Sequence, residues 1–114
     1  MRGTITREEL QAKIAGRDGP ILLEALPESY YRKGHLPGAL HMPHDRVRDL
    51  ASKVVPDKHA AIVTYCASAT CQNSHIAAET LRAMGYTNVS VYVGGKQDWT
   101  EAGLTLEAGQ SHAA

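Results

Sequence analysis

Ten consecutive residues could do chemistry: Tyr65-Cys66-Ala67-Ser68-Ala69-Thr70-Cys71-Gln72-Asn73-Ser74. An apolar run, Ala61 to Tyr65, leads straight into Cys66. A short loop of small and polar residues follows, and a helical pattern begins near Ser74. This order puts a thiol at the carboxyl end of a strand and aims it at a helix N-terminus. Free backbone N–H groups and the helix dipole favour an anion there. The thiolate is the reactive form of cysteine, and such a setting lowers its pKa. Cys66 is therefore a candidate nucleophile. The opposing reading is an inert core cysteine at a strand end.

The two cysteines, Cys66 and Cys71, are too few for a disulfide scaffold, and a bridge between them would close only a tiny loop. Redox or nucleophilic chemistry fits them better than stapling. Gln72, Asn73 and Ser74 carry side-chain oxygens suited to capping the following helix, or to hydrogen bonding a substrate. A zinc site built from Cys66, Cys71, His75 and a further histidine would put Cys-x4-Cys at the limit of knuckle spacing, with no second pair following. No metal and no cofactor are expected.

The elements around this run alternate. Thr6-Arg7-Glu8-Glu9 reads as a capping box, opening a helix from Arg7 to about Ala15 that Gly16 ends. Ile21 to Ala25, an apolar run interrupted by Glu24, reads as a buried parallel strand. Glu28 to Lys33 suits one or two helical turns. Gly34 to Gly38 is a loop, Ala39 to Met42 a short strand, and Asp45 to Lys53 a weak helix. After the strand Ala61–Tyr65, residues Ser74 to Met84 form the clearest helix, with Ile76, Ala77, Thr80, Leu81 and Met84 on one face and Gly85 at its end. Val89 to Val93 is a further strand, broken by Gly94-Gly95, and Gln97 to Ala102 a short helix carrying Trp99. Residues from about Ala108 read as a frayed end. The alternation predicts a three-layer α/β/α domain with a mostly parallel central sheet of about four to five strands. In such sheets ligands bind outside the carboxyl ends of the strands, where Cys66 falls.

The chain has 114 residues, with 12 basic and 12 acidic side chains that balance to zero net charge. It reads as one domain, residues 1–114, with an ordered core of about 4–107. No long basic tract is present, so no nucleic-acid partner is expected. No apolar run approaches the roughly 18 residues of a membrane helix. The opening Met1-Arg2-Gly3-Thr4 lacks a signal-peptide core, so cytoplasm is the expected setting.

The same residues resemble the rhodanese-like domain family over nearly the whole chain. The motifs are the opening Thr6-Arg7-Glu8-Glu9-Leu10, the segment Gly34-His35-Leu36-Pro37-Gly38-Ala39, and Val63-Thr64-Tyr65-Cys66. The turn Gly85-Tyr86-Thr87-Asn88-Val89 and the run Gly94-Gly95-Lys96-Gln97-Asp98-Trp99 complete them. The resemblance implies a sulfurtransferase of the thiosulfate:cyanide type. Cys66 would take sulfane sulfur from thiosulfate or a persulfide and pass it to cyanide, a small thiol or a protein acceptor. Small residues in the loop would let backbone N–H groups curl around the bound sulfur.

This chain departs from the family pattern Cys-x-x-Gly-x-Arg-Ser. Its loop is two residues longer, lacks that glycine and arginine, and holds a second cysteine. Glu24-Ala25-Leu26 also stands where the family often has Asp-Val-Arg. Cys71 either resolves the Cys66 persulfide by forming a disulfide or is a loop residue that never meets Cys66. Lys96, which the family fold brings beside the loop, is either the cation that meets an anionic substrate or an ordinary solvated side chain. Two further functions compete: a thiol-redox or sulfur-carrier protein using the Cys66/Cys71 pair, and a non-catalytic binding module. An intact Cys66 argues against the last. A phosphatase on a related fold would need an arginine after the cysteine to clamp an oxyanion, and none lies between Cys66 and Ser74.

Overall fold

The computed structural model describes residues 3–16 and 19–109. Strand β1 is Thr4–Ile5 and helix α1 Arg7–Ala15; β2 is Ile21–Glu24 and α2 Glu28–Lys33; β3 is Leu40–His41 and α3 Val47–Val54. Then come β4 (Ile62–Tyr65), α4 (Asn73–Ala83), β5 (Val89–Tyr92) and α5 (Gly95–Glu101). The five strands form one sheet in the order β1-β5-β4-β2-β3, with every pairing parallel. The strand β4 therefore runs through the centre, flanked by β2 and β5, and its carboxyl end opens at mid-sheet.

Alternation along the strands feeds two apolar layers. On one face Leu23, Ile62, Val89 and Val91 meet Val47 and Ala51 of α3 and Ala77, Ala78 and Leu81 of α4. On the other, Leu22, Val63, Tyr65 and Tyr92 meet Leu10 of α1 and Trp99 of α5. The expected three-layer arrangement is thus present.

Local signals explain most boundaries. Thr6 and Glu9 exchange both hydrogen bonds of the capping box, and the Gly16 N–H closes the helix on Lys13. Gly85, at φ +102°, follows Met84, the C-cap of α4, in the left-handed region that suits glycine. Three details differ from the sequence expectation. The two-residue β1 was not expected; it exists because Thr4 and Ile5 pair with Val91 and Tyr92. In α4 the buried stripe is Ser74, Ala77, Ala78 and Leu81, while Ile76 is 44% exposed. The last helix begins at Gly95, ahead of the expected Gln97. At the expected frayed end, the Gly109 N–H still donates to the Arg32 carbonyl. The rest of that end, from residue 110, lies outside the described residues.

Candidate active site

The strand β4 delivers Cys66 to the sheet's carboxyl edge, where its side chain is 1% exposed. Residues 67–72 then loop back so that α4 starts directly beyond it. The Cys71 N–H donates to the Ser68 carbonyl at 3.1 Å, closing a tight turn. Ala67, Ala69 and Thr70 are exposed and Ser68 half-buried; Ser68 and Thr70 hydroxyls meet at 3.1 Å. The turn carries Cys71 back over the strand end, and the two cysteines are joined as a disulfide with their Cα atoms 6.3 Å apart. Cys71 therefore meets Cys66 in this structure.

Ser74, in the first turn of α4, is buried, and its hydroxyl lies 3.4 Å from the Cys66 Sγ. The Thr64 hydroxyl donates to the Ser74 carbonyl at 2.9 Å, which ties the strand to the helix that follows. The expected side-chain cap on α4 is absent. Gln72 is the N-cap residue, and it makes no side-chain bond to the helix. The N-cap side chain thus leaves the first-turn N–H groups uncapped.

A second element holds the loop from the other side. At the start of α5, the Lys96 N–H donates to the Cys66 carbonyl at 3.0 Å and the Gln97 N–H to the Ala67 carbonyl at 2.8 Å. This approach requires Gly95, whose φ is +64°; a Cβ there would collide with the Cys66 carbonyl. The glycine pair thus seats α5 against the cysteine loop.

Lys96 is beside the loop as expected, but its side chain points away. Its Nζ lies 3.0 Å from the Glu24 carboxylate and donates to the carbonyls of Tyr30 and Gly34 at 3.0 and 2.6 Å. These three internal oxygens occupy the ammonium, so this arrangement does not offer it to a substrate. Glu24 is fully buried and also accepts from the Tyr65 hydroxyl at 2.8 Å. That hydroxyl in turn receives the Leu36 N–H at 3.0 Å. Burial, followed by the charge on Glu24, pushes the Tyr65 phenol well above its ordinary range. Sequence reasoning missed this network. The available signals were one acidic residue in an apolar strand and one lysine after a glycine pair.

The histidines sit elsewhere. The buried His35 stacks on Tyr31, with ring centroids 3.9 Å apart, and its backbone exchanges both hydrogen bonds with Glu107. It therefore serves the Gly34–Gly38 segment structurally. His75 lines an open groove of about 530 Å³ with Glu79 and Arg82, away from the cysteines. Among the described residues no cluster of His, Cys, Asp and Glu is placed to hold a metal ion.

The parallel sheet presents Cys66 between its central strand and the start of α4, on a three-layer α/β domain. The chain belongs to the rhodanese-like domain family, whose model matches residues 6–102. It is 32% identical over 106 residues to the HTH-type transcriptional regulator Rv0324 of Mycobacterium tuberculosis, covering 92% of this chain and 45% of that protein. It is 28% identical over 96 residues to the putative sulfur carrier protein YrkF of Bacillus subtilis, covering 84% and 50%. With the thiosulfate sulfurtransferase PspE of Escherichia coli it shares 36% identity over 73 residues, 64% of this chain and 66% of that one. The chain thus spans about half the length of the first two of these relatives. The solved thiosulfate sulfurtransferase from Pseudomonas aeruginosa superposes with a TM-score of 0.81 at 27% identity, over 96% of this chain and 21% of that one.

Proposed function

We propose that this chain is a sulfurtransferase that carries sulfane sulfur as a persulfide on Cys66. The observation that carries the reading is the Cys66 sulfur itself, set at the carboxyl end of β4 beside the Ser74 hydroxyl and the first turn of α4. With thiosulfate, the Cys66 thiolate attacks the outer sulfur, the S–S bond breaks, and sulfite leaves with the electron pair. With a persulfide donor, the leaving group is the donor thiolate. Cyanide or a thiol then attacks the outer sulfur of the Cys66 persulfide and restores the thiolate. A small donor or a protein thiol would approach over the exposed Ala67, Ala69 and Thr70. The Ser74 hydroxyl, 3.4 Å from Sγ, stabilises the sulfur anion in place of the arginine this loop lacks. A persulfide donor, with less charge than thiosulfate, suits a loop without a cation.

A second reading, a thiol-redox or sulfur-carrier protein, is supported by the Cys66–Cys71 bridge and by the similarity to a putative sulfur carrier. Both readings suit a cytoplasmic setting, whose reductants return the pair to thiols. Neither calls for nucleic acid or a membrane; among the described residues no helix is long and apolar enough to cross one.

The test is sulfurtransferase turnover of the reduced chain with cyanide as acceptor, using thiosulfate and then a low-molecular-weight persulfide as donor. Wild type and Cys71→Ser are expected to turn over and Cys66→Ser to be inactive. Activity that survives Cys66→Ser, or inactivity of Cys71→Ser with both donors, refutes the reading.

A further inference from the structure

We propose that the Cys66/Cys71 pair gives this domain a second activity, the reductive release of hydrosulfide from its own persulfide. The inference rests on the sulfurtransferase reading, because it begins from sulfur carried on Cys66. In that persulfide the inner sulfur is the Cys66 Sγ, the atom to which Cys71 is joined in this structure. The Cα separation of 6.3 Å lies within the range of about 4.4–6.8 Å that disulfides span, so the loop in this conformation already brings the two residues together.

The positions of both residues are fixed by backbone bonds. The Lys96 N–H holds the Cys66 carbonyl, and the Cys71 N–H holds the Ser68 carbonyl. Attack by Cys71 on the inner sulfur is therefore an intramolecular step between oriented groups. The new bond joins the two Sγ atoms, and the bond to the outer sulfur breaks. The outer sulfur leaves with the electron pair, takes the proton that Cys71 gives up, and departs as hydrosulfide. The two cysteine sulfurs are oxidised and the sulfane sulfur is reduced, with no outside oxidant. Hydrosulfide is a good leaving group because it is weakly basic. No lysine or arginine between Cys66 and Ser74 holds the outer sulfur back.

The same geometry sets the direction of the return step. Cys66 is buried, whereas Cys71 is half-exposed. An external dithiol reaches the Cys71 sulfur first, and Cys66 leaves as the thiolate beside the Ser74 hydroxyl. Reduction thus regenerates the nucleophile directly. Over one cycle a persulfide donor and a dithiol become the donor thiol, hydrosulfide and an oxidised dithiol.

The experiment is a single turnover on the full chain. Protein is reduced, freed of reductant, and mixed with a limiting amount of glutathione persulfide. Hydrosulfide is measured against a protein-free control, and intact mass and peptide maps are recorded. Wild type is expected to release one equivalent of hydrosulfide per sulfur delivered and to end lighter by two hydrogens. Cys71→Ser and Cys71→Ala are expected to lose that release and to stay heavier by one sulfur atom on Cys66. A wild type that keeps the extra sulfur on Cys66 as stably as the two variants overturns the inference and leaves sulfur transfer standing. Extra sulfur recovered on Cys71 also overturns it, since attack would then fall on the outer sulfur. No added sulfur on either Cys71 variant and no hydrosulfide from wild type overturns the inference together with the sulfurtransferase reading.

Discussion

The Lys96 Nζ sits 3.0 Å from the Glu24 carboxylate, bridging the end of β2 to the first turn of α5. The Glu24 side chain is fully buried and that of Lys96 is 14% exposed, so neither group can turn to water if its partner is lost. Removing one partner of a buried pair costs about 3–5 kcal/mol. Lys96→Met is expected to destabilise the domain by that order in urea denaturation. The double variant Glu24→Leu/Lys96→Met is expected to recover much of the loss. A single variant as stable as wild type would show that the pair is not structural.

Gly95 is expected to tolerate no side chain. Its φ of +64° and its approach to the Cys66 carbonyl both exclude a Cβ. Gly95→Ala should cost more than about 1–3 kcal/mol. It should also push α5 off the loop, so that sulfur transfer falls more than global stability accounts for. Parallel unfolding and activity measurements check this, and an active, stable variant would contradict it.

Ser74→Ala is expected to slow the nucleophile without unfolding the chain. A hydrogen bond to a charged group is worth about 1.5–3 kcal/mol, so without the hydroxyl the Cys66 sulfur anion is less stabilised. The alkylation rate of Cys66 against pH, measured in a Cys71→Ser background, reads this directly. An unmoved profile would assign Ser74 to packing alone.

Alkaline pH is expected to unfold the domain, and Tyr65 to carry part of that sensitivity. Its phenol is raised in the folded state by burial and by Glu24. A group raised on folding stabilises fully below its unfolded pKa, here about 10. That contribution is lost as pH climbs from there toward the folded value. Stability should therefore fall above about pH 10, and the slope should be shallower in Tyr65→Phe. That variant also strands the Leu36 N–H and one Glu24 oxygen, at a neutral-pH cost of about 1–3 kcal/mol. Equal slopes in both proteins would exclude Tyr65 as a source.

Much of this architecture is legible in the residues alone, because it is locally encoded. The Thr6–Glu9 box, Gly16, Gly85 and the Gly94-Gly95 pair each act within a few residues, and the strand-loop-helix order around Cys66 is written in ten. What escaped was non-local. Thr4 and Ile5 are too few to show a period and become a strand only through β5. Glu24 and Lys96 are far apart in sequence, and nothing near either one reveals the other. Lys96 looked available to a substrate because its backbone position beside the loop was readable and the direction of its side chain was not. The meeting of Cys66 and Cys71 depended in the same way on how tightly the Ser68–Cys71 turn closes.

Residue 4 pairs with residue 91, and that pairing dictates an order of assembly. While the polypeptide emerges from the ribosome, β2, β3 and β4 are available to one another early. Strand β1 has β5 as its neighbour in the sheet, 87 residues on from Thr4 at Val91. Such distant pairing slows folding, because a long loop must close before the contact forms. Thr4 and Ile5 thus make the strand pairing of greatest sequence separation in this sheet.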